Sequence, residues 1–179
     1  MDFDKVIETR HSSRTFKPKR VNFGDILDSI SAAIQGPFAG NMNNIKFIVI
    51  EDNKTIKTIA KHANQIWINE APALVVVCAD ETNLENQYGK RGNDYSRQQA
   101  GAAIGTLILK LTDLKINSCW IGAFDYEIVK EILKIPQNIR IEAIIPIGYE
   151  KGKGKAERKL DLESVTRWED FKTTKRPSI

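Results

Sequence analysis

Cysteine and histidine are scarce, with two of each in 179 residues. Cys78 and Cys119 lie in separate apolar runs and form no CxxC pair, so neither a disulfide framework nor a thiolate metal cluster is available. They read as buried thiols in a reducing compartment. His11 and His62 are far apart, without an HExxH spacing, which leaves too few ligands for a zinc centre. No GxSxG elbow is present to host a nucleophilic serine. No apolar run approaches the ~20 residues that cross a bilayer, and Met1-Asp2-Phe3-Asp4-Lys5 lacks the basic and apolar regions of a signal peptide. The expectation is a cytoplasmic protein with no membrane partner. Internal repeats and low-complexity segments are also missing.

What is present is ordinary for a globular chain: 41% apolar and 28% charged residues. One domain over 1–179 is expected, with 152–179 as an extended C-terminal tail. The net charge is +4, and positive residues cluster at 10–20 and 151–159. Aromatics are not interleaved with these clusters and no recognition motif accompanies them, which argues against nucleic acid. A phosphorylated small molecule needs fewer positive charges and fits better.

Phe3, Val6, Ile7 and Arg10 fall at helical spacing, with Asp2 or Asp4 near the start. Asn22 caps a second helix whose stripe is Ile26, Leu27, Ile30, Ala33 and Ile34, ended by Gly36-Pro37. The run 45–50 reads as a strand. Asp52-Asn53 opens a third helix expected to reach about Trp67, and 73–79 is apolar enough for a central strand. Residues 80–94, polar and with two glycines, read as a loop over a site. The next helix, 95–113, carries Gly101 and Gly105, which asks for close approach of another backbone, from the sheet or from a second subunit. Residues 117–124 look like a strand, Asp125 caps a helix, and 139–148 reads as a strand that Pro146 marks as irregular or at an edge. The tail offers Leu160, Leu162, Val165, Trp168 and Phe171 with no core of its own.

The chemistry-bearing stretch is Arg10-His11-Ser12-Ser13-Arg14-Thr15-Phe16. Guanidinium groups offer fixed donors to phosphate and carbonyl oxygens, and hydroxyls complete such a cradle. Alone, it reads better as a solvated basic turn. The amide-rich loop near Asn41, the turn at Gly122 and the basic tail add binding features but no acid, base or nucleophile. A site of that kind delegates its reaction to a cofactor.

Taken together, four segments resemble the nitroreductase family of flavoproteins. They are the 10–16 loop, Gly36-Pro37-Phe38-Ala39-Gly40-Asn41-Met42-Asn43-Asn44-Ile45-Lys46-Phe47, Asn117-Ser118-Cys119-Trp120-Ile121-Gly122-Ala123-Phe124 with the later Ile144-Ile145-Pro146-Ile147-Gly148-Tyr149, and Arg158-Lys159-Leu160. The resemblance implies an α+β fold with a central, mainly antiparallel sheet flanked by helices. It also implies a homodimer whose C-terminal tail packs on the partner and whose FMN is shared between subunits. Arg10, His11, Ser12 and Arg14 would hold the phosphate, ribityl and pyrimidine side. Pro37, Phe38, Ala39 and Asn41 would come from the other subunit. Ile121, Gly122 and Ala123 would pass the flavin N5 edge, and Arg158 and Lys159 would close on the phosphate. NAD(P)H would donate hydride and leave, and a nitroaromatic, quinone or related acceptor would take its place, with no catalytic side chain and no metal. Phe38 departs from the family pattern, where a serine is common, and a bulky ring there is expected to narrow the pocket over the flavin ring or to alter stacking on it. A flavin-binding module with little turnover and a basic nucleic-acid-binding protein are the alternatives.

Overall fold

The computed structural model describes residues 2–152, 154 and 159–176. Four strands form one antiparallel sheet: β1 (Ile45–Ile50), β2 (Ala73–Asp80), β3 (Asn117–Ser118) and β4 (Ile139–Gly148), in the order β1-β2-β4-β3. Along β2, Ala73, Val75, Val77 and Ala79 enter one core while Leu74, Val76 and Cys78 enter another. That division explains the unbroken apolar run, because both faces of this strand are covered. Helices α2 (Phe23–Ala33) and α5 (Arg91–Asp113) cover the first face. Helices α3 (Asn53–His62) and α6 (Tyr126–Leu133), with a 3-10 turn at Ile66–Glu70, cover the second. The expected α+β architecture with a flanked antiparallel sheet is the one observed. No helix among the described residues is long and apolar enough to cross a membrane.

The anticipated caps form. Asp2 accepts from the Asp4 N–H ahead of α1 (Phe3–Thr9), Asn22 from Gly24, Asp52 from Thr55, and Asp125 from Ile128. Each occupies a backbone donor that the helix itself cannot satisfy.

Four expectations need correction. Helix α3 stops at His62 rather than near Trp67, because Asn64 turns into the left-handed region (φ 52°). Residues 80–94 are not a loop. They hold α4 (Thr82–Tyr88) and the first turn of α5, and the polar composition hid one fully buried anchor, Leu84. Gly92 meets the Leu84 carbonyl so closely that no side chain would fit there. The strand expected over 117–124 is only two residues long, followed by a single bridge from Ile121 to Ile144. Pro146 lies inside the sheet, not at an edge. Its carbonyl accepts from Cys119 on the β3 side (3.2 Å), so its missing donor also faces that side, where the ladder is already breaking up.

Gly101 and Gly105 do not bring α5 close to the sheet. Ala100, Ala103, Ile104 and Leu107 face the core, while a Cβ at either glycine would meet nothing within 4 Å. The tail is equally open: Leu160 and Leu162 are each 78% exposed, Val165 60% and Phe171 87%. It contains one helical turn, α7 (Leu162–Val165).

Candidate functional site

Helix α1 ends at Thr9, and the chain then runs extended along the sheet edge. Ser12 bridges Ser118 and the Ser13 N–H donates to the Ser118 carbonyl (3.0 Å). Phe16 bridges Glu150, the Lys17 N–H donates to Tyr149 (2.7 Å), and Lys151 returns a bond to Thr15 (3.3 Å). Extended backbone turns alternate side chains to opposite sides. Ser13 is therefore buried between exposed Ser12 and Arg14, and Phe16 is buried against Trp67.

Phe16 stacks on Trp67 at 6.5 Å, and its N–H donates to Glu70 Oε2 (3.2 Å), which also pairs with Lys151 Nζ (3.0 Å). The Lys151 ammonium and the Phe16 N–H hold the Glu70 carboxyl below its usual range. Glu70 is a loop anchor that reading the sequence alone did not find.

Arg10 and Ser12 join Ser118, Trp120 and the α5 residues Gly105, Ile108 and Leu109 around a cleft of about 460 Å³. Trp120 gives it an apolar wall that is 45% exposed. Cys119 lies beneath the loop. Burial pushes its thiol up despite the neighbouring Arg14 and Ser12, so it is an inert packing group. Burial likewise pushes Cys78 up to about 11.

His11 turns to Glu150, with Nε2 at 2.8 Å from the carboxylate and Nδ1 at 2.9 Å from the Thr9 carbonyl. Its ring lines a separate small hollow beside Thr112, Lys115 and Asn117, not the Arg10 cleft.

The amide loop is built differently. Gly40 and Asn41 both adopt φ 56°. A side chain at Gly40 would press on the Tyr88 hydroxyl (2.7 Å). The Ala39 N–H donates to Gln99 Oε1 (2.8 Å). Gln99 Nε2 donates to Asn44 Oδ1 (2.6 Å) and the Met42 carbonyl (3.2 Å), and Asn44 donates to Ser96 Oγ (2.8 Å). Asn44, Ser96 and Gln99 are buried. Pro37 and Ala39 face a hollow of about 210 Å³ with Tyr95, Gln98 and Ala102. Asn41 is exposed. Phe38 packs half-buried against the core, so its ring does not narrow that hollow.

The turn at 121–123 lines neither hollow. Ile121 is buried, and its N–H and carbonyl are both spent on Ile144. Gly122 and Ala123 are exposed, and the Ala123 carbonyl accepts from Gln65 (3.1 Å). Lys159 is exposed, whereas Arg158 falls outside the described residues. Within one chain the expected walls therefore remain apart. The Arg10 cleft and the Pro37 hollow lie along α5 about one turn from each other, at Gly105 and Ala102.

Residues 7–78 and 60–149 match the model of the nitroreductase family. The chain belongs to the nitroreductase family. An Archaeoglobus fulgidus protein with the provisional name NADH dehydrogenase/NAD(P)H nitroreductase is 32% identical over 153 residues, 82% of this chain and 84% of the relative. A Bacillus subtilis protein named FMN reductase [NAD(P)H] is 25% identical over 81% of this chain and 65% of its own length. The crystal structure of a nitroreductase family protein from Clostridium novyi NT superposes with a TM-score of 0.78 at 28% identity, covering 97% and 96% of the two chains. For a nitroreductase-family chain, the donor set suits a flavin mononucleotide. Arg10 and Ser12 at the cleft, with exposed Arg14 on the same loop, offer donors that would suit its phosphate, and Trp120 beside Gly105 offers an apolar wall with room for a ring.

Proposed function

We propose that this nitroreductase-family protein is an FMN-dependent NAD(P)H oxidoreductase, active as a homodimer on nitroaromatic, quinone or related small acceptors. The observation that carries the reading is the basic loop. Its backbone is held by the sheet, its Arg10 and Ser12 side chains line an open cleft, and Arg14 is exposed on the same loop. Bound FMN would supply reversible two-electron chemistry that no side chain here can provide.

In this reading Arg10, Ser12 and Arg14 bind the phosphate and the polar side of the cofactor, and Lys159, with Arg158, adds positive charge. Cations near the pyrimidine end favour negative charge on the reduced cofactor. Ala39 and Asn41 from the second subunit form the opposite wall, with Pro37, and Phe38 contributes through its backbone because its ring is turned inward. The 121–123 turn has only the Gly122 and Ala123 backbone to offer the reactive edge, since the Ile121 N–H is already bonded.

The second copy of the chain is supported by what one copy leaves uncovered. Gly101 and Gly105 open the outer face of α5. Phe3 and Ile7 on α1 are 65% and 50% exposed, Phe23 and Leu27 on α2 58% and 46%, and the tail adds Leu160, Leu162 and Phe171. An apolar surface of this kind is the usual mark of an obligate interface.

Purified protein should be yellow, or become so with FMN, and should sediment as a dimer. Anaerobic mixing with NADH or NADPH should bleach the flavin. A colourless protein that refuses FMN would sink the proposal, and flavin uptake with no reduction by either nucleotide would leave a binding module. Arg10→Ala combined with Arg14→Ala should weaken FMN binding on the order of 100-fold, taking about 1.5–3 kcal/mol for each charged hydrogen bond, with circular dichroism unchanged.

A further inference from the structure

His11 lies where three segments meet. Its Nδ1 is 2.9 Å from the Thr9 carbonyl, Nε2 is 2.8 Å from Glu150 Oε2, and Ser13 Oγ is 3.2 Å from Nε2. Glu150 follows β4 and is itself tied down, its N–H donating to Asn117 Oδ1 (3.1 Å). Gly154 lies over the pair so closely that any side chain there would collide with both the His11 ring and the Glu150 carboxylate. The pair is mostly buried, with side-chain exposures of 17% and 14%. It therefore joins the basic loop to the end of β4, with Gly154 packed against both partners.

Both ring nitrogens face oxygen acceptors. A neutral imidazole has one N–H and one lone pair. Whichever tautomer it took, a lone pair would face either a carbonyl or a carboxylate, with only the Ser13 hydroxyl able to relieve the second case. The imidazolium satisfies both contacts.

We propose that His11 is a positioning residue that, as an imidazolium, clamps the Arg10 end of the basic loop to Glu150 beneath Gly154 and couples phosphate binding to proton uptake. This rests on the flavin reading above. The charged groups facing the ring are Glu150 after β4, Arg10 on its own loop and Lys115 after α5, which lines the same hollow. Burial lowers the His11 pKa and Arg10 lowers it further. The Thr9 carbonyl and the Glu150 carboxylate outweigh them, so the net direction is upward from 6.5. A phosphate on Arg10 offsets that opposing charge and favours the imidazolium still more. By linkage, phosphate affinity is full below this pKa and falls as pH rises through it.

The test titrates FMN and riboflavin onto apoprotein by fluorescence quenching, for wild type, His11→Gln and Glu150→Gln. FMN's phosphate is fully ionised above about pH 7, so a window of about pH 7 to 8.5 isolates the protein. Wild-type affinity for FMN should fall roughly threefold to tenfold across it. Both variants should show a flat profile, as should riboflavin with any of the three proteins. In parallel, the His11 ring resonances of the wild type should titrate above 6.5, and the midpoint should rise with FMN but not with riboflavin. A wild-type profile parallel to that of His11→Gln, or a midpoint unmoved by FMN, would overturn the clamp and leave the flavin reading intact. Failure to bind FMN at any pH would overturn both. Should the variants not fold, the ring titration of the wild type decides alone.

Discussion

The basic loop at 10–17 and the amide loop at 37–44 are assigned to opposite walls of one site, yet they are held by different physics. The first is tied to the sheet through backbone groups, with bonds to Ser118, Tyr149 and Lys151 that do not depend on side-chain identity. The second hangs on a buried side-chain network of Gln99, Asn44 and Ser96 and on two left-handed residues in succession. Ser12 and Arg14 of the first are therefore left outward for ligand, whereas the second uses its polar groups to stay folded. Substitutions should be tolerated structurally in one loop and not in the other.

The largest effect is expected from Gln99→Leu. It takes the Gln99 partner away from the buried Asn44 Oδ1, the Met42 carbonyl and the Ala39 N–H, at about 1–3 kcal/mol for each group left unsatisfied, and urea unfolding should show the summed loss. Little change in the midpoint would mean that the amide loop is not held by this network. Next comes Gly40→Val. The β-branched residue must adopt a left-handed conformation and displace Tyr88, which should destabilise by about 1–3 kcal/mol and show in the melting temperature.

A smaller, pH-dependent effect belongs to Glu70, whose carboxylate anchors the basic loop at the Phe16 N–H. Its carboxyl is held low by Lys151 and the Phe16 N–H. The stabilisation is thus present above the ordinary carboxylate pKa, 4.5, and is lost as pH falls through the lowered folded value. The protection factor of the Phe16 amide, its exchange corrected for the intrinsic pH dependence, should fall in that acid window and stay constant there in Glu70→Gln. The smallest effect is Ser12→Ala, which keeps the backbone bridge to Ser118. Stability should change by less than about 0.5 kcal/mol, while FMN affinity drops; a large loss of stability would erase the contrast between the loops.

Much of the fold was legible before any coordinates. Strands 45–50 and 139–148 and the caps at Asn22, Asp52 and Asp125 stand where local pattern put them. The hidden helix α4 was not legible, because its polar residues outweigh its single buried anchor, Leu84. The Gln99 network did leave a trace. Ser96 and Gln99 continue the inner face of α5 backwards from Ala100, Ala103 and Leu107, and polar side chains on a buried stripe call for partners. The site residues Arg10, Ser12 and Arg14 were read from the loop's composition and its family likeness. That His11 serves a structural pair instead of the cleft was visible only once Glu150 lay beside it.

The α+β class came through the family likeness, and by itself the sequence determined where the strands at 45–50 and 139–148 lie and where α2, α3 and α6 start. These depend on preferences that act over a few residues and on a periodicity set by backbone geometry. Tertiary structure alone decided that the basic loop extends the sheet edge, and that His11 meets a carboxylate 139 residues away. It also decided that the glycines of α5 face outward instead of inward. Those outcomes depend on strand register and on which helix face the sheet claims, and both are settled by burying the whole core at once.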